Sequence, residues 1–329
     1  MNGMFQTPHT PKAAIVIFAA RESLSELVQT LQAARVAANQ FGDAVGIDVL
    51  INGNTSLLNA LLTHVSSEAS GLDDGNLRIW SLKVGDKAHA WNQYNHHIHT
   101  TEELAFFIDG YVRLLPDAIK LLGNAVLDDP HALGGSGIPT TGRTAKALRA
   151  DMLKHGGFHG NFCCIKGDVL QTLRDRRFRI PVGMYRTDSL MGAVLSFNLD
   201  PATNAWDPTR IHVHPDASWL TDPKHLWNIS DVWAKVKRTR RQARGVLENQ
   251  AVREHLEVQR LRPEQLPAGV RKLVTDWMAT KRRVARRLFL LQPLTLLAAK
   301  DIRNIPAMDT TEDLPLNVWP TRRKNKSYE

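Results

Sequence analysis

Cysteine is nearly absent: Cys163 and Cys164 are the only two in 329 residues, and they are adjacent. Neighbouring cysteines do not build a disulfide framework, so the fold has to rest on its core, and a reducing, cytoplasmic setting is expected. Long apolar runs are missing as well. No stretch reaches the roughly 18 uninterrupted apolar residues of a spanning helix, and the opening MNGMFQTPHTPK lacks a basic segment followed by an apolar one. The expectation is a protein that is soluble or peripheral at the inner face of a membrane. Acidic residues are outnumbered, 33 against 42 basic ones, for a net charge of +9. That excess suits phosphate-rich partners such as a nucleotide or an anionic membrane surface. Aromatic residues make up only 7%, and no binding motif or stacking platform accompanies the charge, so nucleic acid is not an expected partner.

What is present is an α/β pattern. With 43% hydrophobic residues the chain is long enough for one catalytic domain plus an appendage. Short apolar runs at Ala13–Ala19, 46–51, Leu77–Leu82, 104–108 and 132–135 alternate with helical patterns at 23–38, 87–99 and 116–127, the order that builds a parallel sheet covered by helices. Residues 134–149 are rich in Gly, Thr and basic side chains and read as an active-site loop or domain edge. From 226 to 320 the chain becomes basic and helical in pattern, with helices expected over 232–258 and 267–291; the polar tail 321–329 is expected to be disordered.

Two motifs point away from the chemistry they suggest. Gly137, Gly142, Arg143 and Thr144 have the spacing of a phosphate-binding P-loop, but Arg143 stands where the lysine belongs and Pro139 interrupts the loop. A flexible basic loop is the simpler reading. His89, His96, His97 and His99 lack a cysteine or acidic partner at ligand spacing, so a solvated histidine-rich helix is expected rather than a metal site. His212 and His214 alternate on a predicted strand, face the same way, and are better candidates for a site. Asp109 is the first of the site residues: it ends an apolar strand, is followed by Gly110, and precedes a new helix, and ligands of open α/β sheets bind outside such strand ends.

The order of these features resembles that of family 2 glycosyltransferases. AIVIFAARES ends the first strand at Ala19 and supplies Arg21 and Glu22; VLINGNTS supplies Asn52 at the end of the second; GDKAHAWNQ carries Lys87 and Asn92. Asp109 and Gly110 stand at the family's Asp-x-Asp motif, with Tyr111 in place of the second acid. Downstream, HGNFCCIKGDVL resembles the acceptor-bordering strand through His159, Gly160 and Asn161, VGMYRTDSLMGAVL places Asp188 at the family's catalytic base, and KRTRRQARG resembles a basic signature helix through Arg241, Gln242, Arg244 and Gly245.

The resemblance implies a GT-A fold: a Rossmann-like, mostly parallel central sheet flanked by helices, with a helical C-terminal appendage. It implies a catalytic domain over 1–225, with a nucleotide-sugar half at 13–140 and an acceptor half at 141–225. The implied reaction moves a sugar from a nucleoside-diphosphate donor to a glycan or lipid-linked hydroxyl, with inversion. Asp188 is the implied base, and Lys87, Arg241 and Arg244 are candidate diphosphate partners. Mg2+ or Mn2+ is implied on Asp109 and the sugar diphosphate, with His212 and His214 as further candidate ligands. The alternative is a catalytically degenerate protein of the same fold, or a basic anion-binding module without turnover. In the appendage, Lys281, Arg282, Arg283, Arg286 and Arg287 run into Leu288, Phe289, Leu290 and Leu291. Either the basic residues meet anionic headgroups while the apolar ones enter the interface, or the leucines pack on the domain.

Overall fold

The structure is a computed structural model that describes residues 13–42, 45–67, 71–72, 75–141, 145–221, 229–306 and 313–319, with backbone alone over 229–238. Four apolar runs form its centre: β1 (Ala13–Ala19), β2 (Val45–Asn52), β3 (Leu77–Leu82) and β4 (Leu104–Asp109). They lie parallel in the order β3-β2-β1-β4. Both faces are covered, which is why these strands read as continuous apolar runs. Side chains alternate between two cores: Ile15 and Ile17 of β1 point to one, Val16 and Phe18 to the other. The first core is closed by α1 (Leu24–Phe41), α2 (Thr55–Val65) and α4 (Ala118–Asp128). Ser23 opens α1 with a reciprocal capping box to Glu26.

The second core is closed by α3 (Lys87–Gln93), α6 (Gly167–Asp175), α7 (Thr187–Ser196) and three helices of the appendage: α8 (Ile229–Arg253), α9 (Val270–Thr280) and α11 (Leu294–Arg303). Beyond β4 the sheet turns mixed. β7 (Phe162–Lys166) runs antiparallel to β4, β6 (Gly134–Pro139) antiparallel to β7, β8 (Ile211–Leu220) parallel to β6, and β5 (Arg113–Leu114) antiparallel to β8. At the other edge β9 (Leu316–Trp319) adds antiparallel to β3, completing nine strands.

Several expectations are corrected here. The strand expected at 132–135 is β6, shifted to Gly134–Pro139, and the loop expected over 134–149 is that strand followed by α5 (Ala145–His155). Gly137 lies inside the strand, where a Cβ would come within 2.2 Å of the Phe162 ring, so it cradles no phosphate. Gly142, Arg143 and Thr144 lie outside the described residues, as does the 321–329 tail. The helix expected over 87–99 changes at Tyr94 into a π-helical turn ending at Ile98. Two of its histidines, His89 and His99, are buried rather than solvated; His96 is half-buried and bonds the Phe178 carbonyl at 2.8 Å, and His97 is exposed. The helix expected over 267–291 breaks at Lys281, whose backbone leaves the helical region, giving α9 and a separate α10 (Arg282–Leu291). On α10, Leu288 and Phe289 pack against the second core, whereas Leu290 and Leu291 are exposed. The region read as helical to 320 ends as strand β9. Among the described residues, no helix is long and apolar enough to cross a membrane.

Candidate active site

Four chain segments meet at the carboxyl ends of β1 and β4. Asp109 closes β4, and the glycine after it lets the chain turn against β1: a Cβ on Gly110 would lie 3.0 Å from the Ala19 Cβ and 3.1 Å from the Phe18 carbonyl. Gly110 N–H donates to that carbonyl at 2.9 Å, which fixes the carboxylate beside the end of β1. Lys87 comes from the first turn of α3, where Asp86 is the N-cap and accepts from His89 N–H at 2.8 Å. Its ammonium pairs with Asp109 Oδ1 and lies 3.4 Å from the Gly160 carbonyl.

Gly160 precedes β7 and holds two chemistries together. While its carbonyl faces Lys87, its N–H donates to Asp188 Oδ2 at 3.3 Å. Asp188 sits in the first turn of α7, where Oδ1 also accepts from Ser189 N–H at 2.9 Å. Asp109, Lys87, Gly160 and Asp188 therefore form one cluster assembled from β4, α3, the β7 approach and α7. Tyr111 spans it, its hydroxyl 3.0 Å from Asp109 Oδ2 and 3.3 Å from Asn161 Oδ1.

The electrostatics agree with a fixed ion pair. Burial pulls the Lys87 ammonium down, but Asp109, and beyond it Asp188, hold its pKa above the ordinary 10.5. Burial, then Asp109, raises the Tyr111 phenol, so its hydroxyl stays a donor. Burial lowers His159 below 6.5 against the pull of Asp188 and Asp109, so the imidazole is neutral at pH 7. His159 Nδ1 accepts from Asn161 N–H at 3.2 Å, and the ring lies 5.2 Å from the Trp219 ring.

Other residues expected at the site are accounted for differently. The Glu22 carboxylate folds onto its own loop, accepting from Ala20 N–H at 2.6 Å and Arg21 N–H at 2.8 Å, and Arg21 is exposed at the rim. The Asn92 amide is engaged by the fold, pairing in both directions with the Ile180 backbone at 2.8 and 2.9 Å. Arg244 is likewise engaged, with Glu248 at 2.7 Å and with the Gly183 carbonyl. Arg241 is exposed. Asn52 is buried at the end of β2, and its Oδ1 has no hydrogen-bond partner among the described residues.

No family model matches the chain, and no curated protein matches it in sequence. Among solved structures it is similar to the mannosyltransferase PcManGT from Pyrobaculum calidifontis, determined in complex with GDP-Man and Mn2+, with a TM-score of 0.54 and 15% identity over 90% of this chain and 85% of that one. The two chains share a fold.

On this fold, the residues of the expected metal site do not come together. His212 lies opposite Gly135, which pairs with Cys164, which pairs with Phe106. It is thus three strands and three residues from Asp109, roughly 14 Å across the sheet at 4.8 Å per strand. Its Nδ1 is 3.9 Å from Asp129 Oδ2. His214 Nδ1 accepts from Asp216 and Ala217 N–H, both at 3.1 Å, and so closes the bulge where β8 slips against β6. Both Asp109 oxygens face protein donors, Lys87 and Tyr111, and among the described residues no group of three or more His, Cys, Asp or Glu is placed to hold a metal ion. The donor set does not fit a protein-held divalent ion.

The sequence reading missed the struts behind the cluster. Buried Glu248 on α8 accepts from the N–H groups of Tyr185 and Arg186, both at 2.9 Å, and so ties α8 to the turn that delivers Asp188. Asp86 Oδ2 accepts from Gly183 N–H at 3.1 Å. Asp313 accepts from Lys83 and Val84 N–H at 3.0 and 2.9 Å and meets His89 at 3.0 Å, so the loop before Lys87 is held by the segment leading into β9. Only Asp86, a polar residue just before a helical pattern, carried a local signal.

Proposed function

We propose that the chain transfers a sugar from a nucleoside-diphosphate donor to a hydroxyl of a glycan or glycolipid acceptor, with inversion. The observation that carries this reading is the Lys87–Asp109 pair joined through Gly160 to Asp188, on a glycosyltransferase fold. Asp188 takes the acceptor proton while the hydroxyl oxygen bonds the anomeric carbon; the bond from that carbon to the diphosphate breaks, and its electron pair leaves on the diphosphate. The Lys87 ammonium, oriented by Asp109, is the fixed positive charge beside the leaving group. The unpartnered Oδ1 of Asn52 supports a contact to the donor's base or ribose. His159 and Asn161 border the acceptor side.

The test is nucleotide release from a panel of nucleotide sugars, with Mn2+ and with a chelator. Release is expected in both conditions and is expected to fall at least a hundredfold in Lys87→Met. Release that strictly needs Mn2+ would overturn the Lys87 assignment. Nucleoside-diphosphate binding with no release from any donor would replace the enzyme reading with binding without turnover.

A further inference from the structure

The two short helices α10 and α11 form a hairpin around Gln292 and Pro293, and its outer end is apolar and uncovered. Leu290 is 83% exposed and Leu291 70% exposed, and Leu294, Leu296 and Leu297 follow them on the other side of the turn, also exposed. Single exposed leucines are ordinary; five around one turn form a contiguous patch of the kind that marks an interaction site. The hairpin is held firmly from behind: α11 buries Ala298, Ala299 and Ile302 in the second core, and Asp301 pairs with Arg240 at 2.6 Å.

Charge identifies the partner. Arg282, Arg283, Arg286 and Arg287 are exposed on α10, the helix that ends in Leu290 and Leu291, and none of them has a carboxylate partner among the described residues. Lys281 is set apart by its pair with Glu254 at 3.0 Å. A second copy of this chain on the same face would bring two sets of arginines together. Nucleic acid would meet the arginines but leave the leucines in water. A bilayer carrying anionic lipid satisfies both sets, with guanidinium groups at the headgroups and leucines at the acyl boundary.

We propose that the α10–α11 hairpin docks the protein on an anionic membrane surface, with the leucine tip inserted and the α10 arginines at the phosphates. This rests on the hairpin alone and not on the proposed transferase activity, so it stands or falls separately. The test is cosedimentation of the full chain with phosphatidylcholine vesicles and with vesicles containing phosphatidylglycerol, at low and high salt, alongside sedimentation without lipid. Binding is expected to the anionic vesicles at low salt and to weaken with salt. Arg286→Gln with Arg287→Gln should weaken it about 30-fold, from about 1 kcal/mol for each arginine near such a surface. Leu290→Ser with Leu291→Ser should reduce it at both salt concentrations without shifting the thermal midpoint, because both side chains already face water. Absence of binding to anionic vesicles at low salt would overturn the proposal. So would equal binding by both variants, or a dimer without lipid that the leucine variant dissolves.

Discussion

Gly160 is the residue on which the site closes. A Cβ there would lie 3.2 Å from the Asp188 Cβ and 3.4 Å from its Cγ, close enough that the aspartate has to give by a few tenths of an ångström. Gly160→Ala should therefore keep the fold but move the base, lowering turnover about tenfold to a hundredfold while the thermal midpoint stays within a few degrees. Unchanged turnover would mean that Asp188 is not held to a fixed position. Asp188 itself has two readings, a helix-terminal cap or a base, and Asp188→Asn separates them. Asparagine can still accept from Gly160 and Ser189 N–H, so a cap survives the change while a base does not. The expected result is a loss in kcat of about 10²- to 10⁴-fold with stability unchanged. Asp109 was picked out by its place at the end of an apolar strand, whereas Lys87 and Asp188 were picked out only through the resemblance to family 2 glycosyltransferases. Tyr111 looked like a defect in a motif, because its link to Asn161 spans 50 residues and has no local trace.

The helix α8 works as a clamp. Its Glu248 is fully buried and takes the Tyr185 and Arg186 amides together with the Arg244 guanidinium, while Gly245 leaves room for the Arg186 side chain, whose Nε would be 2.6 Å from a Cβ there. Arg244 was expected to face a diphosphate; instead it neutralises a buried acid. Glu248→Ala leaves two amides unpaired and that arginine without its carboxylate, and a loss on the order of 3–5 kcal/mol is expected from chemical denaturation. Glu248→Gln, which keeps the shape, should cost clearly less; equal losses would mean that the charge has no role in the clamp. The parallel strands could be read from sequence because two-sided burial writes continuous apolar runs. The mixed half could not. The order β7, β6, β8 depends on pairings between distant segments, and β6 is rich in glycine because Phe162 and the neighbouring strands fill the space where side chains would stand. The break between α9 and α10 at Lys281 left no glycine or proline to announce it.

Across the whole molecule, acid acts mainly through histidine. Burial depresses His96, His99, His159 and His255 below their ordinary 6.5. The unfolded chain then binds more protons below pH 6.5 than the folded one, so stability is fully present above that pH and is lost as pH falls through the folded values. Burial raises Asp48, Asp86 and Glu248 above their ordinary values of 3.8 and 4.5, which acts in the opposite sense. The thermal midpoint should be flat above about pH 7 and should decline from 6.5 toward 5.5, with His255→Gln removing part of the slope. A midpoint that rises on acidification through that window would assign control to the carboxyls instead.

The segment leading into β9 carries a further consequence, which concerns time. Asp313 binds the Lys83 and Val84 amides across 230 and 229 residues of chain, so the loop that presents Lys87 stays open until that whole stretch has been made. At 5–20 residues per second that is a wait of roughly 10–50 s after the loop itself is made. A nascent chain on the ribosome can thus form its parallel strands while the loop before Lys87 is unfinished. A chain stopped after residue 306 is expected to fold as judged by circular dichroism yet to release no nucleotide, which would make Asp313 the residue that switches the newborn protein on.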